Sequence, residues 1–300
     1  MIDNGLLRKG YHDLSNKDGY LQLKYLVKSR QLDKLEKLDI QKLDKLYGDK
    51  DFSSMGSFYV KFPKDSFIFS DTKIESEVVL SQIAYEMGFY SAIYFPCITP
   101  NGKKGVISND ISKVCSKTML DYLLYNEKVI SDYKMPYRSK EEYSSKELEL
   151  EKFFTDKAFT DLIKLGYFDV YSRNVDRHTN NILVETKLSL SSPSFLQVNN
   201  IGLIDFSLGG DFTQSIENKT FVNGLGGKVY ISGNELIDFL KNDEVLLSYV
   251  NPNEMAEQFG NYDVTRLIDD IKDQTNFSVS NEFSEGLKKS FYDISEELIK

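Results

Sequence analysis

Apolar positions along the chain follow two rhythms. Short runs of alternating or unbroken β-branched and aromatic residues predict strands at residues 57–63 and 92–98. A further pair, 181–186 and 200–207, reads as a β-hairpin. Longer stretches with an apolar residue every three or four positions predict helices at 72–87, 112–125, 146–165, 234–247, 253–275 and 281–299. In the first of these, Ile74, Val78, Ile83 and Met87 fall near one face, and Gly88 stands where a C-terminal cap belongs. A leucine stripe, Leu32, Leu35, Leu38, Leu43 and Leu46, has a charged outer face. It predicts an amphipathic helix packed on the body, with a partner-binding helix as the alternative. Pro100-Asn101-Gly102 reads as a turn, 134–145 as a polar surface loop, and 189–199 as a Ser-rich excursion inside the hairpin.

These elements predict an α+β chain in three parts: an N-terminal helical extension, 1–47; a small, mainly β part, 48–110; and a larger, mainly helical part around the hairpin, 111–300. With 300 residues of which 41% are hydrophobic, the chain is long enough to bury a sizeable core. No apolar run is long enough to cross a bilayer, and the opening M-I-D-N-G-L-L-R-K-G lacks a signal-peptide core. The expected location is therefore cytoplasmic.

Charge narrows the function classes. The net charge of −9 argues against nucleic-acid binding by phosphate neutralisation. Residues 1–50 carry eleven Lys or Arg against eight Asp or Glu, and the remainder 26 against 38. Two cysteines, Cys97 and Cys115, and two histidines, His12 and His178, match no structural zinc spacing. Neither cysteine has a histidine near it in sequence, which disfavours thiol catalysis.

The informative chemistry sits at the hairpin. Asn174 onward reads N-V-D-R-H-T-N-N-I-L-V, and the second run ends I-G-L-I-D-F at Phe206. Two carboxylates, an amide and an imidazole thus stand at the ends of two apolar strands. ATP-dependent phosphoryl transfer wants this set, because catalysis there is mostly positioning and charge neutralisation. Asp176 suits the group that orients the attacking hydroxyl and accepts its proton, with His178 holding the loop or touching a phosphate. Asn181 and Asp205 suit Mg²⁺. A structural hairpin with a polar turn is the plain alternative.

Asp176-Arg177-His178-Thr179-Asn180-Asn181 followed by Ile204-Asp205-Phe206 resembles the catalytic and metal-binding segments of the phosphatidylinositol 3-kinase-like superfamily and of bacterial HipA-type and CtkA-like Ser/Thr kinases. The resemblance implies a two-lobed protein-kinase-like fold, a small mainly-β N-lobe on a larger mainly-helical C-lobe, using ATP and Mg²⁺. The family's glycine after Asp-Phe is Ser207 in this chain. Upstream, Lys61 sits in the strand S-F-Y-V-K-F-P, where it would meet the α- and β-phosphates. Glu77, early on the next helix, would pair with it; by resemblance it is preferred over Glu75, and an acid-enriched first turn is the alternative.

Residues 105–110, G-V-I-S-N-D, resemble the family's connection between lobes, making Ile107 and Asn109 candidate nucleotide contacts. Residues 48–57 stand where a phosphate-covering loop belongs but match neither common glycine pattern. Ser54 and Gly56 are its candidate contacts, and Ser53, Ser54 and Ser57 candidate autophosphorylation sites. Beyond Asp205, residues 208–228 hold five glycines and only Lys219 and Lys228 as cations, offset by Asp211 and Glu217. A mobile, cation-poor segment at that place favours a protein hydroxyl over a phosphoinositide as acceptor. The expected function is Ser/Thr protein phosphorylation with autophosphorylation. A lipid kinase and a nucleotide-binding scaffold or toxin without transfer are the alternatives. Expected partners are a protein substrate and, by the resemblance, an antitoxin or a host protein reached by a non-classical route.

Overall fold

The computed structural model describes residues 12–13, 58–62, 70–98, 102–112, 114–125, 152–192, 196–222 and 230–300. The leucine-patterned stretch at 31–46, the loop at 48–57 with Ser54 and Gly56, and the loop at 134–145 lie outside these residues.

A first sheet is built from β1 (His12–Asp13), β2 (Phe58–Lys61), β4 (Tyr94–Ile98) and β5 (Lys104–Asn109), in the order β1-β4-β5-β2. β4 and β5 pair as an antiparallel hairpin from Tyr94↔Ser108 to Ile98↔Lys104, and β2 pairs antiparallel with β5, Lys61 opposite Val106. Residues 105–110, expected as a connection, are thus mostly the sheet's middle strand. Successive side chains point to opposite faces, and on β4 and β5 both faces are covered. Val106 enters the main core, while Ile107 packs with Ile93, Phe95 and Cys97 in a small cluster of its own.

Helix α1 (Ser70–Glu86) lies against this sheet. Its apolar residues predicted one buried face, yet residues 74–84 are all buried. The reason is tertiary: the sheet covers one side and the C-terminal helices the other, so even Ser76, Glu77, Ser81 and Gln82 are enclosed. Ser81 is satisfied by donating to Val78 O and accepting from Tyr94 N. Truncating Leu80, which is fully buried, to alanine removes about 2–5 kcal/mol of stability. The helix stops at Gly88, whose φ of 93° only glycine adopts cheaply; Gly88 N donates to Tyr85 O and Phe89 N to Ala84 O, closing the last turn.

The second sheet has the order β3-β8-β7-β6, from β3 (Tyr90–Ser91), β6 (Lys117–Thr118), β7 (Ile182–Leu188) and β8 (Leu196–Leu203). β7 and β8 form the expected hairpin, with Ile182 opposite Leu203. It runs further into the Ser-rich excursion than its apolar pattern suggested, and β8 ends before Asp205. Helix α2 (Met119–Tyr125) is shorter than the predicted 112–125, since β6 occupies the residues before it. Helix α3 (Asp156–Ser172) begins later than 146 because Thr155 caps it, accepting from Ala158 N at 3.2 Å. It continues past 165 through the buried Gly166 to Arg173, whose left-handed φ of 52° ends it.

After a short ribbon, β9 (Thr220–Val222) and β10 (Tyr230–Ser232), the chain is helical. The predicted helix 234–247 is two, α4 (Gly233–Asn242) and α5 (Glu244–Tyr249), parted at Asp243, which accepts from Val245 N and Leu246 N. The predicted 253–275 is also two, α6 (Pro252–Gly260) and α7 (Val264–Thr275), the second capped by Asp263. Helix α8 (Asn281–Ile299) has the predicted bounds. In both split cases an Asp within an apolar rhythm acts as a new N-cap, which periodicity alone does not register. Stacked and edge-on rings, Phe206 on Phe168, Tyr171 on Phe259 and Phe291 on both, tie the hairpin end to α3, α6 and α8. Among the described residues no helix is long and apolar enough to cross a membrane.

Candidate active site

The loop from Asn174 to Asn181 is built around a buried arginine. Arg177 donates through Nε to both carboxylate oxygens of Asp169, at 3.2 and 3.3 Å, and through Nη1 to Ile204 O at 2.8 Å. Longer contacts, at 3.4 Å, reach Asn181 O and Asp205 O. Its guanidinium also lies over the Phe206 ring, 4.9 Å from the centroid. One side chain therefore joins α3, the loop and the end of β8. Asn174 Nδ2 donates to Asp169 at 3.2 Å. Burial pushes the Asp169 carboxyl up to about 6, against the pull of Arg177 and its hydrogen bonds.

On that frame the loop turns tightly. His178 N donates to Asp176 O, Asn181 N to His178 O, and Asn181 Nδ2 to Asp176 O at 3.0 Å. The last bond uses the amide nitrogen of Asn181, and its Oδ1 accepts nothing among the described residues. Asp176 is part exposed, with His178 Nε2 3.8 Å from its Oδ2, and burial raises its pKa despite His178. His178 Nδ1 and Arg177 Nη2 are buried without hydrogen-bond partners among the described residues.

Asp205 stands just past β8 with φ of 59°, a left-handed conformation that aspartate tolerates better than most side chains. Its Oδ1 is bonded by Lys61 Nζ and by Ser207, through Oγ at 2.7 Å and N at 3.2 Å. Its Oδ2 accepts nothing among the described residues. Burial alone would raise its pKa, but Lys61 and Ser207 hold it down at about 2. Ser207, standing where a glycine was expected, has no left-handed φ and orients the carboxylate instead.

Lys61 Nζ also bonds Glu77 Oε1, while Glu77 Oε2 accepts from Phe206 N at 2.8 Å. Three elements far apart in sequence, β2, α1 and the β8 end, thus meet at one ammonium. Burial would lower the Lys61 pKa; Glu77 and Asp205 outweigh it and raise it. Glu77 is fully enclosed, and burial pushes its carboxyl up to about 7 against Lys61. One cation is thus shared by two carboxylates, with the negative charge held mainly by Asp205. Glu75, the alternative weighed against Glu77, faces away and accepts from Ser280 N and Oγ.

The structure therefore brings Lys61, Glu77 and Asp205 into direct contact and sets Asp176, His178 and Asn181 on the adjoining loop. It places Ile107 elsewhere: its backbone lies in the middle strand between β2 and β4, and its side chain is in the small cluster. Asn109 Oδ1 accepts from Ile93 N at 3.2 Å, an anchor at the strand end. Arg177, Asp169 and Tyr94, whose hydroxyl accepts from Asp205 N at 3.3 Å, were not singled out from the sequence. The Arg between Asp176 and His178 was in view, but nothing local says that a basic residue turns inward to a helix eight residues upstream.

The segment after Asp205 also departs from expectation. Its described part is held: Gly209 N donates to Phe206 O, Gly210 N to Ser172 O, and Ser76 Oγ to Gly209 O at 2.7 Å. Gly210 has φ of 72°, and a Cβ there would collide with Phe283. These glycines serve close packing between α1 and α8 rather than mobility. Lys219 is buried and bonded to Asp211 at 2.7 Å, so it is not available as a surface cation. Residues 223–229 lie outside the described residues. A groove of about 940 Å³ runs along this segment, lined by Lys73, Val175, Ser207, Asp211, Thr213 and Phe283 among others.

No protein-family model matches the sequence, and no curated protein matches it. Among solved structures, the Helicobacter pylori proinflammatory kinase CtkA superposes with a TM-score of 0.51 at 15% identity, covering 81% of this chain and 87% of that one. A looser match is the Rio2 kinase of Chaetomium thermophilum in its ADP/Mg²⁺-phosphoaspartate complex, with a TM-score of 0.31 at 13% identity, covering 75% and 55%. The likeness to CtkA shows that this chain has an α+β, protein-kinase-like fold.

Proposed function

We propose that the chain is an ATP- and Mg²⁺-dependent kinase that phosphorylates Ser or Thr of a protein, itself included. The observation that carries this reading is the single ammonium of Lys61 bonded to both Glu77 and Asp205 beside Asp176. A lysine so held is aimed by two partners, the arrangement needed to orient anionic phosphates. On this reading residues 48–110 supply the nucleotide side and 111–300 the catalytic loop. Ser54 and Gly56 would approach the nucleotide.

The donor set suits Mg²⁺. Asp205 Oδ2 and Asn181 Oδ1 are hard oxygens that accept no hydrogen bond among the described residues. Magnesium takes one or two such protein ligands, with waters and substrate phosphates completing its shell. Bound there, the ion would neutralise phosphate charge. Asp176, part exposed and raised in pKa, would orient the acceptor hydroxyl and take its proton, and Arg177 holds that loop in register with Asp205. The buried Lys219 leaves a phosphoinositide headgroup one cation fewer, which supports a protein acceptor.

The test is incubation of purified protein with γ-labelled ATP and Mg²⁺, followed by mapping of labelled residues. Wild type should label Ser or Thr, and Asp176→Ala should reduce the rate about 10²–10⁴-fold. Equal labelling by Asp176→Ala removes that residue from catalysis. Labelling of a phosphoinositide alone establishes the lipid reading, and thermal stabilisation by Mg-ATP without transfer establishes the scaffold.

A further inference from the structure

Helix α1 carries two sets of contacts on different sides. At 100° per residue, Glu75 and Glu86, eleven apart, fall within about 20° of one another, whereas Glu77 lies about 200° from Glu75. Glu77 faces Lys61 and Phe206 N. Glu75 and Glu86 face the C-terminal helices. At the front, Glu75 accepts from Ser280 N at 2.7 Å and Ser280 Oγ at 2.9 Å, at the N-cap of α8. At the rear, Glu86 Oε2 accepts from Tyr262 OH at 2.8 Å and Arg266 Nη2 at 2.7 Å, at the entry to α7. Between them Ser76 Oγ grips Gly209 O.

We infer that Glu75 and Glu86 are positioning residues: they strap α1 to the C-terminal helices and thereby hold Glu77 on Lys61 and on Phe206 N. The two straps are unequal. Glu75 is 7% exposed and bonded twice within a covered junction, while the Glu86 pair is open to water, where ion pairs contribute little. The front strap lies one turn or less from Glu77, so it dominates the placement of that carboxylate. A helix held by the sheet alone would be free to rotate or lift, taking Glu77 off the lysine without unfolding the chain. Its catalytic consequence rests on the kinase reading; its structural consequence does not.

The full chain is therefore tested by hydrogen exchange, read at the Phe206 amide that donates to Glu77. Glu75→Ala should accelerate this amide about tenfold or more by local opening, with β7 and β8 amides unchanged. Glu75→Gln, which keeps one acceptor for Ser280 N, should restore most of the protection. In the transfer assay, Glu75→Ala should raise KM for ATP about tenfold with a smaller loss in kcat. If Glu75→Ala does not fold, Glu86→Ala must still accelerate Phe206 detectably. Unchanged exchange at Phe206, or an equal acceleration of β7 and β8, overturns the inference. A wild type that transfers no phosphate sinks the kinase reading and leaves the exchange comparison decisive for the strap.

Discussion

The two halves of the site are held by different physics. Arg177 is 3% exposed and is fixed by packing, by Asp169 and by backbone carbonyls of the loop and of the β8 end. Lys61 is 33% exposed, on a four-residue strand at the edge of its sheet, next to Tyr59 and Val60 at 57% and 40% exposure. Packing does little to aim it; Glu77 and Asp205 do. The 174–181 loop is therefore anchored in the core, whereas the lysine is placed by charge. Removing the central cation should cost stability in the first half and ligand handling in the second.

The sharpest way to break this contrast is Arg177→Leu. It leaves Asp169 buried without its cation, and urea unfolding should show a loss of about 3–5 kcal/mol. A loss under about 1 kcal/mol would place Arg177 with the surface pairs. Lys61→Met should behave oppositely, raising KM for ATP about tenfold or more while stability stays within about 1 kcal/mol of wild type. Glu77, already near neutrality, can take up a proton when its partner is lost. Unchanged ATP kinetics would remove Lys61 from the site.

Acidity sharpens the comparison further. The Glu77 carboxyl is raised from 4.5 to about 7, so between those values the folded chain holds a proton that the unfolded chain has released. Stability from this group is full below 4.5 and is lost as pH rises through about 7. Asp169, raised to about 6, acts in the same direction. Asp205, lowered to about 2, acts oppositely, its contribution being lost only as pH falls from 3.8 toward 2. Denaturation should thus show stability declining between about pH 5 and 8, with a shallower decline in Glu77→Gln. Transfer should run the other way, its kcat/KM rising through about pH 7 as Glu77 ionises, and Glu77→Gln should abolish that limb. The smallest effect is expected of Ser207→Ala. Losing its Oγ bond to Asp205 should cost about 1 kcal/mol and raise the Mg²⁺ requirement a few-fold.

Much of this was legible because it is local. The spacing of Asp176 and Asn181 and the apolar runs beside them indicated the hairpin, and the Thr72–Met87 rhythm indicated α1. What failed locally had a competing cause. Asp243 and Asp263 end helices that the apolar period would continue, because a capping carboxylate outweighs one more turn. Residues 105–110 read as a connection, but their neighbours in space make them a middle strand. Gly209 and Gly210 read as mobile, yet the close approach of α1 and α8 requires them.

By itself, the order of residues indicated the main helices, the hairpin and the acidic and amide groups of the 174–181 loop, since these follow from period and short spacing, whereas Lys61 and Glu77 were reached through strand and helix patterns read with a family resemblance. Only the tertiary structure decided that Glu77 rather than Glu75 meets the lysine, that Arg177 turns inward to Asp169, and that Lys219 is consumed by Asp211. The first is a choice between chemically equivalent side chains, and burial and direction make all three; for Glu75 and Glu77 they depend on partners more than a hundred residues away in sequence.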